Sequence, residues 1–341
     1  MEETKSGGQY KANPILLASS PHIVSPFNAR MLMGNMLLAL VPVSVFGIAV
    51  FGLPALLTIC TGVAATIGGE ALFRLATRQQ VRVKDLSAGV TGLLLALVIP
   101  PSMPLWMTAL GSFFAVIVAK EFFGGLGANI FNPALAGRAF LMMSFPSAMT
   151  TWHEPQSGFT FALPDAVSGA SPLGGALSAA RQIAVKPCVE LGSRYWPEVR
   201  GLFLGYHAGS LGETSSMLIL AAFLYLLVTR TIDWRAPVFM VGTAFIAAFA
   251  LGLDPILTVL SGGLLFGAVY MATDYVTSPL TAWGKVIFGA GAGLISMLIR
   301  RFGTYPEGVC YAILIMNCTV PFLNKLLPRK YGFVPKKRAK K

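Results

Sequence analysis

A hydroxyl can be esterified by a bulky group only where nothing shields it, and the string Asp165-Ala-Val-Ser168-Gly169-Ala170-Ser171-Pro172-Leu173 meets that condition. Gly169 and Ala170 allow close approach to the backbone and leave the Ser171 hydroxyl free at the tip of a turn. An ordinary Ser/Gly turn has the same composition, so the string alone leaves both readings open. A second chemistry lies in carboxylates set among apolar residues. Glu70, Glu121 and Asp274 fall within or at the edge of apolar runs. An unpaired charge there costs several kcal/mol, which makes them candidates for a cation path. Glu70, in Gly68-Gly69-Glu70-Ala71, is deepest in its run, whereas Glu121 follows Lys120 and could equally be solvated beside it.

Other chemistries find little support. His22, His153 and His207 form no H-E-x-x-H motif and no Ser-His-Asp set. Cys60, Cys188, Cys310 and Cys318 are far apart, so neither a disulfide framework nor a metal site follows from this chain alone. Gly125-Leu-Gly127 lacks the third glycine of a dinucleotide loop and follows no strand. Gly289-Ala-Gly291-Ala-Gly293 reads as close helix packing.

The elements that must position these residues are set by composition. Hydrophobic residues make up 55% of the 341 and charged residues 12%, about half the charge of an ordinary soluble chain. Apolar runs predict ten helices in two sets of five. The first set is 31–50, 53–73, 86–99, 105–119 and 126–145; the second is 215–228, 237–253, 256–270, 285–299 and 309–326. The chain thus reads as an all-α integral membrane protein with about ten transmembrane helices. A polar segment, 1–30, precedes the first set (31–145), and a basic tail, 328–341, follows the second (215–327). Residues 146–214 form a long loop between the sets, expected to be irregular and, at that length, functional.

The net charge of +12 is explained by topology rather than by nucleic acid. With the amino terminus inside, 19 of the 26 Lys and Arg residues fall on the inner side, so both termini are expected in the cytoplasm. Arg300 and Arg301 break that rule, and Arg138 lies within a span. The loop 146–214 then lies on the outer face. An odd number of helices per set makes the second set begin on the opposite side from the first, the arithmetic of an inverted repeat. Glu121–Pro133 and Phe266–Pro279 occupy corresponding places, each putting Gly, a polar side chain and Pro into apolar surroundings. Interrupted helices of that kind persist at membrane depth only against protein, water or ligand, and their presence in both halves predicts a central site.

Four strings taken together carry a family resemblance: Asp165-Ala-Val-Ser168-Gly169-Ala170-Ser171, Gly212-Glu-Thr-Ser215, Asn129-Ile-Phe-Asn-Pro133 and Met271-Ala-Thr-Asp274. The first looks like the acceptor sequence of bacterial flavin transferases, which join FMN through its phosphate to a Thr or Ser hydroxyl. From about Ser20 to Leu327 the chain resembles the NqrB/RnfD family, whose members are membrane subunits of the Rnf ferredoxin:NAD complex and of the sodium-pumping NADH:quinone oxidoreductase. The short amino terminus fits the Rnf branch better.

The resemblance implies a flavoprotein subunit in a bacterial or archaeal cytoplasmic membrane that passes electrons, moves Na+ or H+, and does not itself bind NAD. FMN would be esterified to Ser171, where the family usually has Thr. Asp165, Ser168, Gly169, Ala170, Gly212, Glu213 and Thr214 would lie about it, with the Thr214 hydroxyl an alternative attachment point. Asn129 and Asn132 would contact a second, noncovalent riboflavin; the alternative is that their amides only satisfy interrupted helix backbone. Implied partners are a flavin transferase, membrane lipid, the membrane iron–sulfur subunits, a G-type subunit bearing its own FMN, and the soluble subunits facing ferredoxin and NAD. The architecture alone also suits an NqrB-like subunit or a flavin-free transporter of the urea-channel type.

Overall fold

The computed structural model describes residues 28–80, 85–153, 168–169, 195–205, 207, 209–303 and 307–325. Apart from one two-residue ladder, the regular structure among them is helical. Helix α1 spans Ala29–Phe51, and Gly52, at φ 70°, turns the chain straight into α2, Leu53–Ala76, with a proline in its first turn. A left-handed φ is cheap only for glycine, so this sharp joint is written into the sequence. The end of the bundle where α1 starts is called proximal below, and the end where α1 finishes distal.

Helix α3, Ser87–Leu97, is short and nearly wholly buried. Helix α4, Leu105–Phe113, loosens into a π-helical turn at Phe114–Val118 and a 3-10 turn at Glu121–Phe123. Helix α5, Pro133–Ser144, follows, then α6, Pro146–Thr150. Two-residue strands β1, Trp152–His153, and β2, Ser168–Gly169, pair antiparallel. After α7, Tyr195–Leu204, come α8, Ser216–Val228, and α9, Arg235–Ala250. Helix α10, Pro255–Leu260, stops short. Helix α11, Leu264–Phe266, then runs into a second π-helical turn, Gly267–Met271. Two helices close the fold: α12, Ala282–Phe302, and α13, Val309–Leu323.

All ten predicted segments carry helix, but two are not continuous. The run 126–145 is helical only from Pro133, because Gly124, Gly125 and Gly127 adopt φ of 109°, 90° and 99° and reverse the chain beforehand. The run 256–270 is broken at Ser261–Gly263. Counting its two pieces separately puts a π-helical turn in fourth place in each half. The halves also share a start signal. Asn132 caps α5 by accepting from the Ala134 and Leu135 amides, and Asp254 caps α10 by accepting from Ile256 and Leu257, each with proline next. Such caps satisfy donors that a helix start leaves free.

Four helical stretches, those starting at Ala29, Leu53, Leu105 and Ala282, are long and apolar enough to cross a membrane. Large apolar side chains point outward along them and along α8 and α9: Leu38, Val45, Leu72, Leu224, Phe249 and Leu298 are all exposed. In a bilayer these sit in hydrocarbon, so the core is held instead by close packing. Glycines provide that closeness. A Cβ on Gly289 would press into the Ala236 carbonyl, and one on Gly291 would meet the Met316 side chain at 2.7 Å. The glycine series of α12 is therefore a packing face, as its sequence indicated.

Candidate functional site

At the proximal end the two interrupted segments meet around one cleft. Leu32, Met33 and Met36 of α1, Val90 and Leu94 of α3, and Tyr270 of the second π turn give it apolar walls. Asn129, Asn132, Lys120, Ser87, Thr91 and Asp274 supply its polar groups. A mostly apolar lining with a few convergent polar groups is the wall chemistry of a small-ligand site.

The two asparagines are not equivalent. Both ends of the Asn132 amide are engaged: its oxygen caps α5 and its nitrogen donates to the Met271 carbonyl at 3.4 Å, tying the two interruptions together. With its amide turned so that oxygen faces the donor and nitrogen the acceptor, Asn317 of α13 completes that tie, accepting from the Asn132 backbone amide and donating to the Thr277 carbonyl, each at 3.2 Å. Asn129 donates to the Phe131 carbonyl at 3.1 Å, but its side-chain oxygen is buried with no partner among the described residues. Asn132 thus satisfies interrupted backbone, whereas Asn129 presents a free acceptor. Asp274 folds back on its own turn, accepting from the Thr277 hydroxyl at 3.0 Å and the Val276 amide at 3.4 Å. Among the described residues it has no cationic partner.

Behind the cleft wall lies a buried cluster of two acids and two bases. Lys120 Nζ donates to Glu70 Oε2 at 2.7 Å and to the Ser87 hydroxyl at 2.6 Å. Arg74 Nε is 3.5 Å from Glu70 Oε1, and Arg74 Nη2 donates to Glu121 Oε1 at 3.1 Å. Glu70 is wholly buried and Glu121 is 5% exposed, so the reading of Glu121 as a solvated neighbour of Lys120 gives way to a buried pairing with Arg74. Gly125 is needed here, since a Cβ would stand 2.7 Å from the Arg74 guanidinium. Low dielectric strengthens each pairing and makes each lost partner costly.

A second cluster sits at the distal end. Arg138 of α5 pairs with Glu307 just before α13. Arg300 is 1% exposed and donates to the Thr258 and Ser261 carbonyls, capping the interrupted end of α10. Its charge neutralises helix carbonyls inside the fold, which accounts for its departure from the topology rule. Glu213 lies between these elements: a Cβ on Gly263 would meet its Oε1 at 2.9 Å and Arg138 Nη1 at 3.9 Å. On its other side a Cβ on Gly209 would stand 3.4 Å from Glu213 Oε2 and 3.5 Å from His207 Nε2. Burial holds the His207 imidazole below its ordinary pKa, opposed by the nearby Glu213 charge and the Gly201 backbone. Among the described residues, Glu213 Oε1, both His207 nitrogens, the Ser210 hydroxyl and Arg300 Nε are buried without a well-formed hydrogen bond.

Gly212 and Thr214 also fall near this distal end. Gly212 donates to the Leu97 carbonyl at 2.6 Å, and a Cβ on it would press the Phe266 ring at 2.8 Å. Thr214 is wholly buried and its hydroxyl donates to the Leu211 carbonyl, so it offers no free hydroxyl for esterification. Ser168 and Gly169 pair with His153 and Trp152, giving the motif a strand where irregular structure was expected. Trp152, 6% exposed, anchors that ladder. Asp165, Ala170 and Ser171 lie outside the described residues.

Sequence reasoning counted Lys120, Arg74 and Arg300 only as topology charges and left Arg138 unassigned. The signal available was their place in apolar runs, the same argument that singled out Glu70.

The family model for NQR2, RnfD and RnfE matches residues 16–332. Over 332 residues the chain is 42% identical to the D-type subunit of the proton-translocating ferredoxin:NAD(+) oxidoreductase complex of Clostridium ljungdahlii, covering 95% of this chain and 98% of the relative. It is 39% identical to the corresponding subunit of the Na(+)-translocating ferredoxin:NAD(+) oxidoreductase complex of Acetobacterium woodii, covering 96% and 98%. It is also 39% identical to the corresponding subunit of the ion-translocating oxidoreductase complex of Stutzerimonas stutzeri, covering 88% and 91%. The first two relatives are named for different ions at nearly equal identity, so similarity does not choose between H+ and Na+.

Proposed function

Because this chain belongs to the NQR2, RnfD, RnfE family, we propose that it is the D-type membrane subunit of an ion-translocating ferredoxin:NAD oxidoreductase complex. In this reading it carries two flavins, an FMN esterified to Ser171 on the outer face and a noncovalent riboflavin in the proximal cleft. Both termini and the cleft face the cytoplasm. Its partners are the other subunits of the complex, and a flavin transferase attaches the FMN.

The observation that carries the cleft assignment is the buried, unpartnered Asn129 Oδ1 among apolar walls. A flavin ring brings a large apolar face and an N–H needing an acceptor, which matches that wall chemistry. Asn129 accepts from the ligand, Lys120 and Ser87 set the electrostatics of one wall, and the α1 and α3 side chains exclude water. Bound flavin supplies one- or two-electron storage; the protein supplies placement and field. Asn132 acts indirectly, by holding both interruptions in register through Met271 and Asn317.

The Ser171 assignment rests on the motif and on membership of the family. The ladder between β1 and β2 supports it by fixing the backbone at Ser168-Gly169, just before Ala170-Ser171. The engaged hydroxyl of Thr214 supports it by removing the alternative. A phosphoester does not touch the flavin ring, so its role is to keep an electron carrier on the outer face.

Co-expression with a flavin transferase tests both sites. A fluorescent band on a denaturing gel that vanishes in Ser171→Ala establishes the covalent flavin; a band surviving in that variant places it elsewhere. Acid precipitation of the purified complex should release riboflavin into the supernatant. Supernatant without riboflavin refutes the cleft assignment.

A further inference from the structure

Lys120 lines the cleft, yet its ammonium group is engaged by Glu70 and by Ser87, itself a cleft residue. Among the described residues, no other cation lines this cleft. Lys120 thus belongs to the cleft lining while its ammonium is bonded to a carboxylate that does not. Glu70 has one further cationic contact, Arg74 Nε at the longer distance of 3.5 Å. Arg74 is itself engaged with Glu121 and with the Gln80 carbonyl.

We propose that Lys120 couples the charge state of the cleft to cation affinity at Glu70. The inference rests on the riboflavin reading of the cleft and deepens it. One electron delivered to the cleft by the complex adds one negative charge. Lys120 has a flexible stem and three donors, and in a medium of low dielectric it shifts its hydrogen bonding toward that charge. Glu70 then loses its 2.7 Å partner and keeps only the longer contact to Arg74. One monovalent cation, H+ or Na+, enters from the proximal side and restores neutrality. On reoxidation the electron leaves the cleft, Lys120 returns to Glu70 and the cation is displaced. Charge balances at each stage: one electron in with one cation in, and one electron out with one cation released from Glu70. Glu70 thereby acts as an exchangeable site without being a free carboxylate at rest.

The test is a redox titration of the cleft flavin in the purified complex, read by absorbance, as H+ and Na+ are varied separately. In the wild type the reduced-to-oxidised ratio at fixed ambient potential should rise with Na+, or with H+ more steeply than proton uptake by the reduced flavin itself accounts for; that excess is the cation dependence assigned to Glu70. Lys120→Met should lower that ratio about tenfold or more and abolish the cation dependence. Lys120→Arg, which keeps the charge, should retain the dependence and guards against loss of folding in the methionine variant. Glu70→Gln should keep the flavin bound and also abolish the cation dependence. Wild-type behaviour of Lys120→Met with flavin bound overturns the proposal, as does a cation dependence that survives in Glu70→Gln. Supernatant of the wild type without riboflavin fails the underlying reading, a result distinct from an unchanged potential and one that removes the proposal with it.

Discussion

The two ends of the bundle differ in how completely buried charge is paired. At the proximal end Glu70, Arg74, Lys120 and Glu121 pair within 3.5 Å and balance two against two. At the distal end Arg138, Glu307, Glu213, Arg300 and His207 also converge, but Glu213 Oε1 and both imidazole nitrogens lack a well-formed hydrogen bond among the described residues. In the proximal cluster every charge is answered by another, and the loosest contact, Arg74 Nε to Glu70 Oε1 at 3.5 Å, leaves both atoms without a well-formed hydrogen bond. The distal one has spare hydrogen-bonding capacity beside the segment that returns from the long loop. Paired buried charges specify geometry and respond steeply to loss of one member, whereas groups with spare capacity tolerate substitution and are available to water or ligand.

That contrast can be broken by substitution. Glu70→Ala leaves Lys120 and Arg74 buried with one acid between them, and a cost of about 3–5 kcal/mol is expected for such an uncompensated charge. Thermal unfolding of the detergent-purified subunit would show it as the largest loss in the series; a wild-type midpoint would mean that the proximal charges do not depend on one another. Gly212→Ala forces a methyl group against the Phe266 ring and the Leu97 carbonyl, with an expected loss of about 1–3 kcal/mol. An unchanged midpoint there would show that the distal wedge can relax.

Glu213→Gln should cost less than Glu70→Gln by the same assay, since Glu70 loses a charged partner bonded at 2.7 Å whereas no ion pair within 4 Å engages Glu213 among the described residues. Equal losses would erase the difference between the two ends. The same substitution removes the charge that opposes the burial effect on His207. The imidazole should then titrate at still lower pH, which histidine NMR of the labelled subunit would detect.

The smallest effect lies outside both clusters. Burial works against ionisation of Asp233, but hydrogen bonds from the Arg235 amide and from Lys285, with both positive charges, hold its carboxyl below the ordinary range. A depressed carboxyl contributes stability above the unfolded pKa and loses it as pH falls through the folded one. Asp233→Asn should therefore flatten the acid limb of the stability profile just below about pH 4, by less than about 1 kcal/mol for a partly exposed pair. An identical acid limb in the variant would show that these contacts are too well solvated to count.

Much of the architecture was legible in the sequence because a bilayer leaves few options for apolar runs. The helices at 31–50, 53–73 and 285–299 were placed to within a few residues, since a span demands length and hydrophobicity that little else mimics. The interruptions were legible as well, from Gly and Pro near Asn129 and Asp274. The break at Ser261–Gly263 was not, because Ser and Gly in an apolar run also suit ordinary helix packing. Residue types likewise singled out Glu70 and Glu121, and the family resemblance Asn129 and Asn132, but neither could divide their roles.

What the sequence determined by itself was the all-helical membrane class, the interrupted segments and the family strings, each of which depends on local composition or on short spacing. What only the tertiary structure decided was which charges meet. Lys120 reaches Glu70 across 50 residues and Asn132 reaches Met271 across 139. No periodicity encodes such pairings, because they depend on how helices cross and on glycines that let them approach. The separation of Asn129, with its free acceptor, from Asn132, engaged at both ends, arises in that packing and nowhere earlier.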